Sequence, residues 1–150
     1  MTVTTDLTRL DPTLDSPLET AGRHFRRDAH APQAARNFVA DTLVKAGADD
    51  DTVETAKLLT SELVTNAVLY ANRGQIHVSV ETTAKQAEII VADAGRIRAH
   101  ISTQAPAQEK EHGRGWFLVE SLSVDCGIER IPGGNGHRAR FVLDLGGGAP

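Results

Sequence analysis

Apolar and polar positions recur along this chain with two different periods, and the change of period marks its elements. From Pro32 to Ala46 the less polar residues Phe38, Val39, Thr42, Leu43 and Ala46 gather on one side of a helix. Pro32 suits a first helical turn and Gly47 is a natural stop, so a helix is predicted over 32–46. A second helix is predicted from about Asp51 to Ala71, with Asp49, Asp50 and Asp51 offering caps and negative charge at its start. At about 3.6 residues per turn, Ala56, Leu59, Leu63, Ala67 and Tyr70 form its apolar stripe, and Glu62 and Asn66 fall together on the margin.

Beyond Asn72-Arg73-Gly74 the period shortens to two. Ile76, Val78 and Val80 predict a strand, and the run Ala87 to Ala92 its more buried neighbour, joined by a hairpin turn near Thr83 to Gln86. A short edge strand is expected at His24 to Arg27. A third helix is expected from near Gly115 through Trp116, Val119 and Leu122. Closing strands are expected at Val124 to Ile131 and His137 to Leu145, around the turn-rich Pro132-Gly133-Gly134-Asn135-Gly136. The stretch Arg96 to His112 has no strong period and reads as a long functional loop. Residues 1–21 and 146–150 read as flexible tails, leaving a single domain over 22–145 with no internal repeat.

Composition narrows the function classes. At 150 residues the chain is the size of one domain, and a formal charge of −4 argues against direct nucleic-acid binding. No run approaches the roughly 20 apolar residues a membrane span needs. Cys126 is the only cysteine, which excludes an intrachain disulfide. The first residues lack the pattern of a secretory signal, so a cytoplasmic location is expected. The six histidines show none of the short spacings that mark zinc sites. Arg23, His24, Arg26 and Arg27 form a local basic cluster, read as a solvated edge or a small binding patch.

Three groups of residues could carry chemistry. Asn66 offers a neutral oxygen ligand of the kind Mg²⁺ accepts beside nucleotide phosphates, and Glu62, one turn away, could take the proton of an attacking hydroxyl. The same pair also reads as a solvated margin of an amphipathic helix. Asp93 closes an apolar strand and is followed by Gly95; the carboxylate could accept a hydrogen bond from the amine of adenine, although Asp and Gly also simply end strands. Gly113-Arg114-Gly115 ahead of Trp116 permits backbone N–H groups to face a phosphate, or is a plain flexible helix start. It is neither a Walker loop nor a dinucleotide fingerprint.

The order of these groups resembles the GHKL (histidine kinase-like) ATPase superfamily over about His24 to Leu145, and within it the bacterial anti-sigma-factor serine-protein kinase branch. The resemblance rests on Glu62-Leu63-Val64-Thr65-Asn66-Ala67, on Asp93-Ala94-Gly95, and on Gly113-Arg114-Gly115 followed by Leu118-Val119. It implies a Bergerat-type two-layer α/β sandwich, with helices on one face of a mixed, mostly antiparallel sheet. It also implies ATP and Mg²⁺ as cofactors, with Mg²⁺ at Asn66, a general base at Glu62 and adenine recognition at Asp93. Gly95, Gly113, Arg114 and Gly115 complete the nucleotide site. The implied partners are a sigma factor and an anti-sigma factor antagonist phosphorylated on serine, with homodimerisation common in the family. Arg138 stands where many relatives carry a small hydroxyl residue near the base, and His137 where lysine is common. A non-catalytic binding module of the same fold is the alternative; an ordinary metabolic enzyme lacks any nucleophile triad or metal cluster to support it.

Overall fold

The computed structural model describes residues 19–70, 74–93, 115–131 and 136–146. Its elements in chain order are β1 (Glu19–Phe25), α1 (Ala31–Lys45), α2 (Asp50–Tyr70), β2 (Ile76–Thr82), β3 (Gln86–Asp93), α3 (115–122), β4 (Asp125–Arg130) and β5 (His137–Asp144). Gly47 ends α1 with φ at 91°, a left-handed conformation that glycine adopts without a Cβ clash. Asp49 caps α2: its Oδ1 accepts the Thr52 N–H at 2.9 Å. Those hydrogen bonds, from the Thr52 backbone first and its hydroxyl second, hold the Asp49 carboxyl below its ordinary range.

The strands form one five-stranded sheet in the order β1-β2-β3-β5-β4. Every pairing among the described residues is antiparallel, so the mixed sheet expected from the sequence is corrected. β1, β3 and β4 run in one direction and β2 and β5 in the other, so no two strands of like direction are neighbours. The sheet also begins earlier than expected. Glu19 to Gly22 carry no apolar alternation, yet they pair with β2 from Glu19↔Thr82 to Gly22↔Ser79, and β1 as a whole runs the length of β2 to Phe25↔Ile76.

Side chains alternate across the sheet and give its two faces opposite characters. Ile76, Val78 and Val80 of β2, Ile89 and Val91 of β3, and Phe141 and Leu143 of β5 share one core with the helices. From α1 come Ala31, Ala35, Val39 and Leu43, at a strict four-residue spacing; from α2 come Ala56, Leu59, Leu63, Val64 and Ala67; Trp116 and Val119 of α3 join them. Burying each large aliphatic residue contributes about 1.5–3 kcal/mol, so these stripes fix which face the helices cover.

The opposite face bears a different pattern, read in rows across the strands: His24, His77, Ala92, Arg138 and Glu129 in one row, and Gly22, Ser79, Ile90, Arg140 and Gly127 in the next. Arg140 binds the fully buried Glu88 carboxylate at 3.3 Å and Asp125 at 3.0 Å, tying β3, β4 and β5 together.

Candidate functional site

Helix α2 supplies two of the side chains, and its core stripe sets their direction. With Leu59, Leu63 and Ala67 turned into the sheet, Glu62 stands half-buried on the margin and Asn66, one turn on, is only 5% exposed. Asn66 Nδ2 is shielded from solvent and has no hydrogen-bond partner among the described residues. A buried amide without a partner costs roughly 1–3 kcal/mol, so the position suits a ligand rather than plain packing. The two amide atoms exchange by rotation about the terminal bond, and the site can therefore present oxygen to a hard cation or N–H to a phosphate.

Helix α3 meets this margin directly. A Cβ built on Gly115 would lie 2.5 Å from Glu62 Oε1 and 3.4 Å from Glu62 Cβ. With glycine at this position the Glu62 carboxylate can rest directly against the start of α3, where a Cβ would have to push it aside. Trp116 follows, buried in the core, so α3 is anchored on one side of Gly115 while Gly115 faces Glu62.

Asp93 completes the described set from the sheet. It is 5% exposed and shares the alternation of Ala87, Ile89 and Val91, which places it on the helix-covered face. Its register partners are Ile76 on β2 and His137 on β5. Ile76 follows Tyr70 by a short connection, so Asp93 sits at the sheet end toward which the last turns of α2, and Asn66, lead.

The register sets Arg138 apart from Asp93. Its partner is Ala92, not Asp93, so it belongs to the opposite face, where its Nε lies 3.2 Å from Glu129. That approach lacks hydrogen-bond alignment, and Arg138 Nε has no hydrogen bond. The residue therefore does not crowd the Asp93 side of the sheet. Gly95, Gly113, Arg114 and the Arg96 to His112 loop lie outside the described residues.

A groove of about 640 Å³ opens elsewhere, between α1 and β1, lined by Arg23, Asn37, Phe38, Asp41 and Lys45 among others. Its lining holds neither an orphaned buried amide nor a carboxylate against a glycine, so volume alone does not make it the site. Sequence reasoning also missed Arg36, whose guanidinium donates to Ser61 Oγ at 2.8 Å and ties α1 to the residue before Glu62.

Gly115→Ala is a sharp test of this packing. The new methyl group forces the Glu62 carboxylate aside, a flexible tip that yields at little cost to stability. Displacement of a reacting group by about 1 Å costs on the order of 10²-fold in rate. We expect a large loss of the activity this margin supports at an unchanged melting temperature; wild-type activity in this variant contradicts the contact's importance.

Comparison with known proteins is consistent with this arrangement. The family model of the histidine kinase-like ATPase domain matches residues 25–141. The chain is 33% identical over 104 residues to a serine-protein kinase RsbW of Staphylococcus aureus, covering 59% of this chain and 65% of that protein. The same protein from strain MSSA476 is 34% identical over the same extent. The match thus spans 65% of the length of the curated relatives. A crystal structure of the RsbU and RsbW domains of a Mycobacterium tuberculosis protein superposes with a TM-score of 0.66 at 19% identity, covering 85% of this chain and 32% of that one, a likeness of fold.

Proposed function

Because this chain belongs to the histidine kinase-like ATPase domain family, we propose that it binds ATP between α2 and α3 and transfers the γ-phosphoryl group to a serine of a partner protein. The observation that carries this reading is the seating of Gly115 against the Glu62 carboxylate, beside a buried Asn66 Nδ2 that has no hydrogen-bond partner among the described residues. A base, a polar ligand and a closely approaching backbone on one margin are what in-line phosphoryl transfer requires.

In this reading Glu62 accepts the proton of the serine hydroxyl as the serine oxygen bonds to the γ-phosphorus. The bond from that phosphorus to the β,γ-bridging oxygen breaks, and ADP leaves. Asn66 supplies an oxygen to Mg²⁺, which when bound offsets the charge of the phosphates. Asp93 accepts the adenine amine, Gly95 leaves room for the base, and Gly113, Arg114 and Gly115 receive phosphate oxygens.

The similarity to serine-protein kinase RsbW supports an anti-sigma factor working by partner switching. The protein holds a sigma factor until an anti-sigma factor antagonist takes its place, and phosphorylation of the antagonist's serine reverses the exchange. We place this activity in the cytoplasm, where sigma factors act. Homodimerisation would draw on an edge strand of the sheet, β1 or β4.

The test is incubation of the purified protein with γ-labelled ATP and candidate antagonist proteins from its own genome. Label on a serine of one antagonist is the expected result. ATP binding with no transfer to any of them replaces the kinase with a binding module of the same fold.

A further inference from the structure

The sheet face away from the helices carries a feature that nucleotide chemistry does not use. His24 on β1 and His77 on β2 are direct register partners, and their rings lie 4.4 Å apart at 43°. Fifty-three positions of sequence separate them, which is why no short metal motif announces the pair. No described group hydrogen-bonds to either ring, so neither imidazole is committed to the fold by a polar contact. Gly22 lies beside them: a Cβ there would stand 3.0 Å from His77 Nε2, so glycine keeps that nitrogen open. On its other side His77 faces Ala92, too small to cover it.

We propose that His24 and His77 form a two-imidazole clasp for a divalent ion of the zinc and copper class, closing β1 onto β2 on the open face of the sheet. Imidazole nitrogen is a preferred donor for these ions. Zinc bound to two imidazoles at about 2.0–2.1 Å holds the nitrogens roughly 3.3 Å apart, so the two rings, centred 4.4 Å apart, need only splay outward at one end to turn a nitrogen each to a shared ion. The ladder between β1 and β2 holds both donors in place before the ion arrives. Among the described residues no group of three or more His, Cys, Asp or Glu side chains is placed to hold a metal, so water fills the remaining positions and the ion exchanges readily.

The test is calorimetric titration of the full chain with ZnCl₂, without nucleotide, alongside His24→Asn, His77→Asn and Gly22→Ala. One ion per chain is expected on this pair. Affinity should fall at least tenfold in each histidine variant, and in Gly22→Ala, which keeps both imidazoles but crowds His77 Nε2. Zinc should also raise the melting temperature of the wild type and not of the variants. His24 is exposed, so its replacement leaves the fold intact, as far-UV circular dichroism checks. Absence of zinc binding, or binding of equal strength in the wild type and His24→Asn, overturns the proposal. Mg²⁺·ATP affinity should be equal in all four proteins, so this result stands or falls apart from the nucleotide site.

Discussion

Glu62→Gln is expected to lower the rate of phosphoryl transfer by roughly 10²–10⁴-fold while ATP affinity changes little. The substitution keeps the length and shape of the side chain, so the contact with Gly115 and the course of α2 are retained. What it removes is the capacity to accept a proton, the role proposed for Glu62. Glutamine cannot take a proton, so under that proposal the hydroxyl would attack without a base. Single-turnover transfer measured with saturating ATP isolates the chemical step from binding. Equal rates in the two proteins would remove Glu62 from the role of base and leave it as a packing partner of α3. A parallel fall in ATP affinity and rate would instead assign the residue to nucleotide binding.

The second large effect is on stability. Arg140→Met is expected to destabilise the fold by about 3–5 kcal/mol, because it strips the Arg140 guanidinium from a carboxylate with no exposure at all, Glu88. Asp125 loses its partner too, but it is half-exposed and that loss counts for little. At roughly 2–8 °C per kcal/mol for a domain of this size, the melting temperature should fall by on the order of 10 °C or more. The paired variant Glu88→Leu with Arg140→Met should recover most of this, since replacing both members by apolar residues removes the buried charge with its partner. Thermal unfolding of the two single variants and the double variant measures the coupling. A melting temperature within 2 °C of the wild type for Arg140→Met would show that Glu88 does not depend on this contact.

The sequence carried α2 almost whole, because a helical stripe, an Asp cap and a glycine-terminated predecessor all agree at that place. It carried β2 and β3 through their alternation and apolar run. It carried only the last residues of β1, as a short edge strand beginning at His24. Glu19 to Gly22 form a strand through hydrogen bonds to β2, and an edge strand exposed to solvent shows no period of its own. The Glu88 to Arg140 link was available as a signal, a lone carboxylate inside the apolar run Ala87 to Ala92, but its partner depends on the register of β3 against β5. Register also decided Arg138: the alternation of a strand is legible in sequence, whereas which face meets the helices at a given residue is not.

For the site, the helical spacing of Glu62 and Asn66 was readable, and so was the glycine ahead of Trp116. The contact between Gly115 and Glu62 was not, since it depends on how α3 returns across the sheet. The His24 and His77 pair escaped for the same reason, two histidines far apart in sequence and opposed in space.

The central claim is that nucleotide and metal sit on the margin of α2, beside Asn66 and Gly115. Mn²⁺ in place of Mg²⁺ broadens nuclear resonances close to it, so titration of the isotope-labelled protein with Mn²⁺·ATP reads the location directly. The side-chain amide of Asn66 and the backbone amide of Gly115 should broaden first, with Asn37 in the groove between α1 and β1 left sharp. Broadening of Asn37 with Asn66 undisturbed would contradict the account.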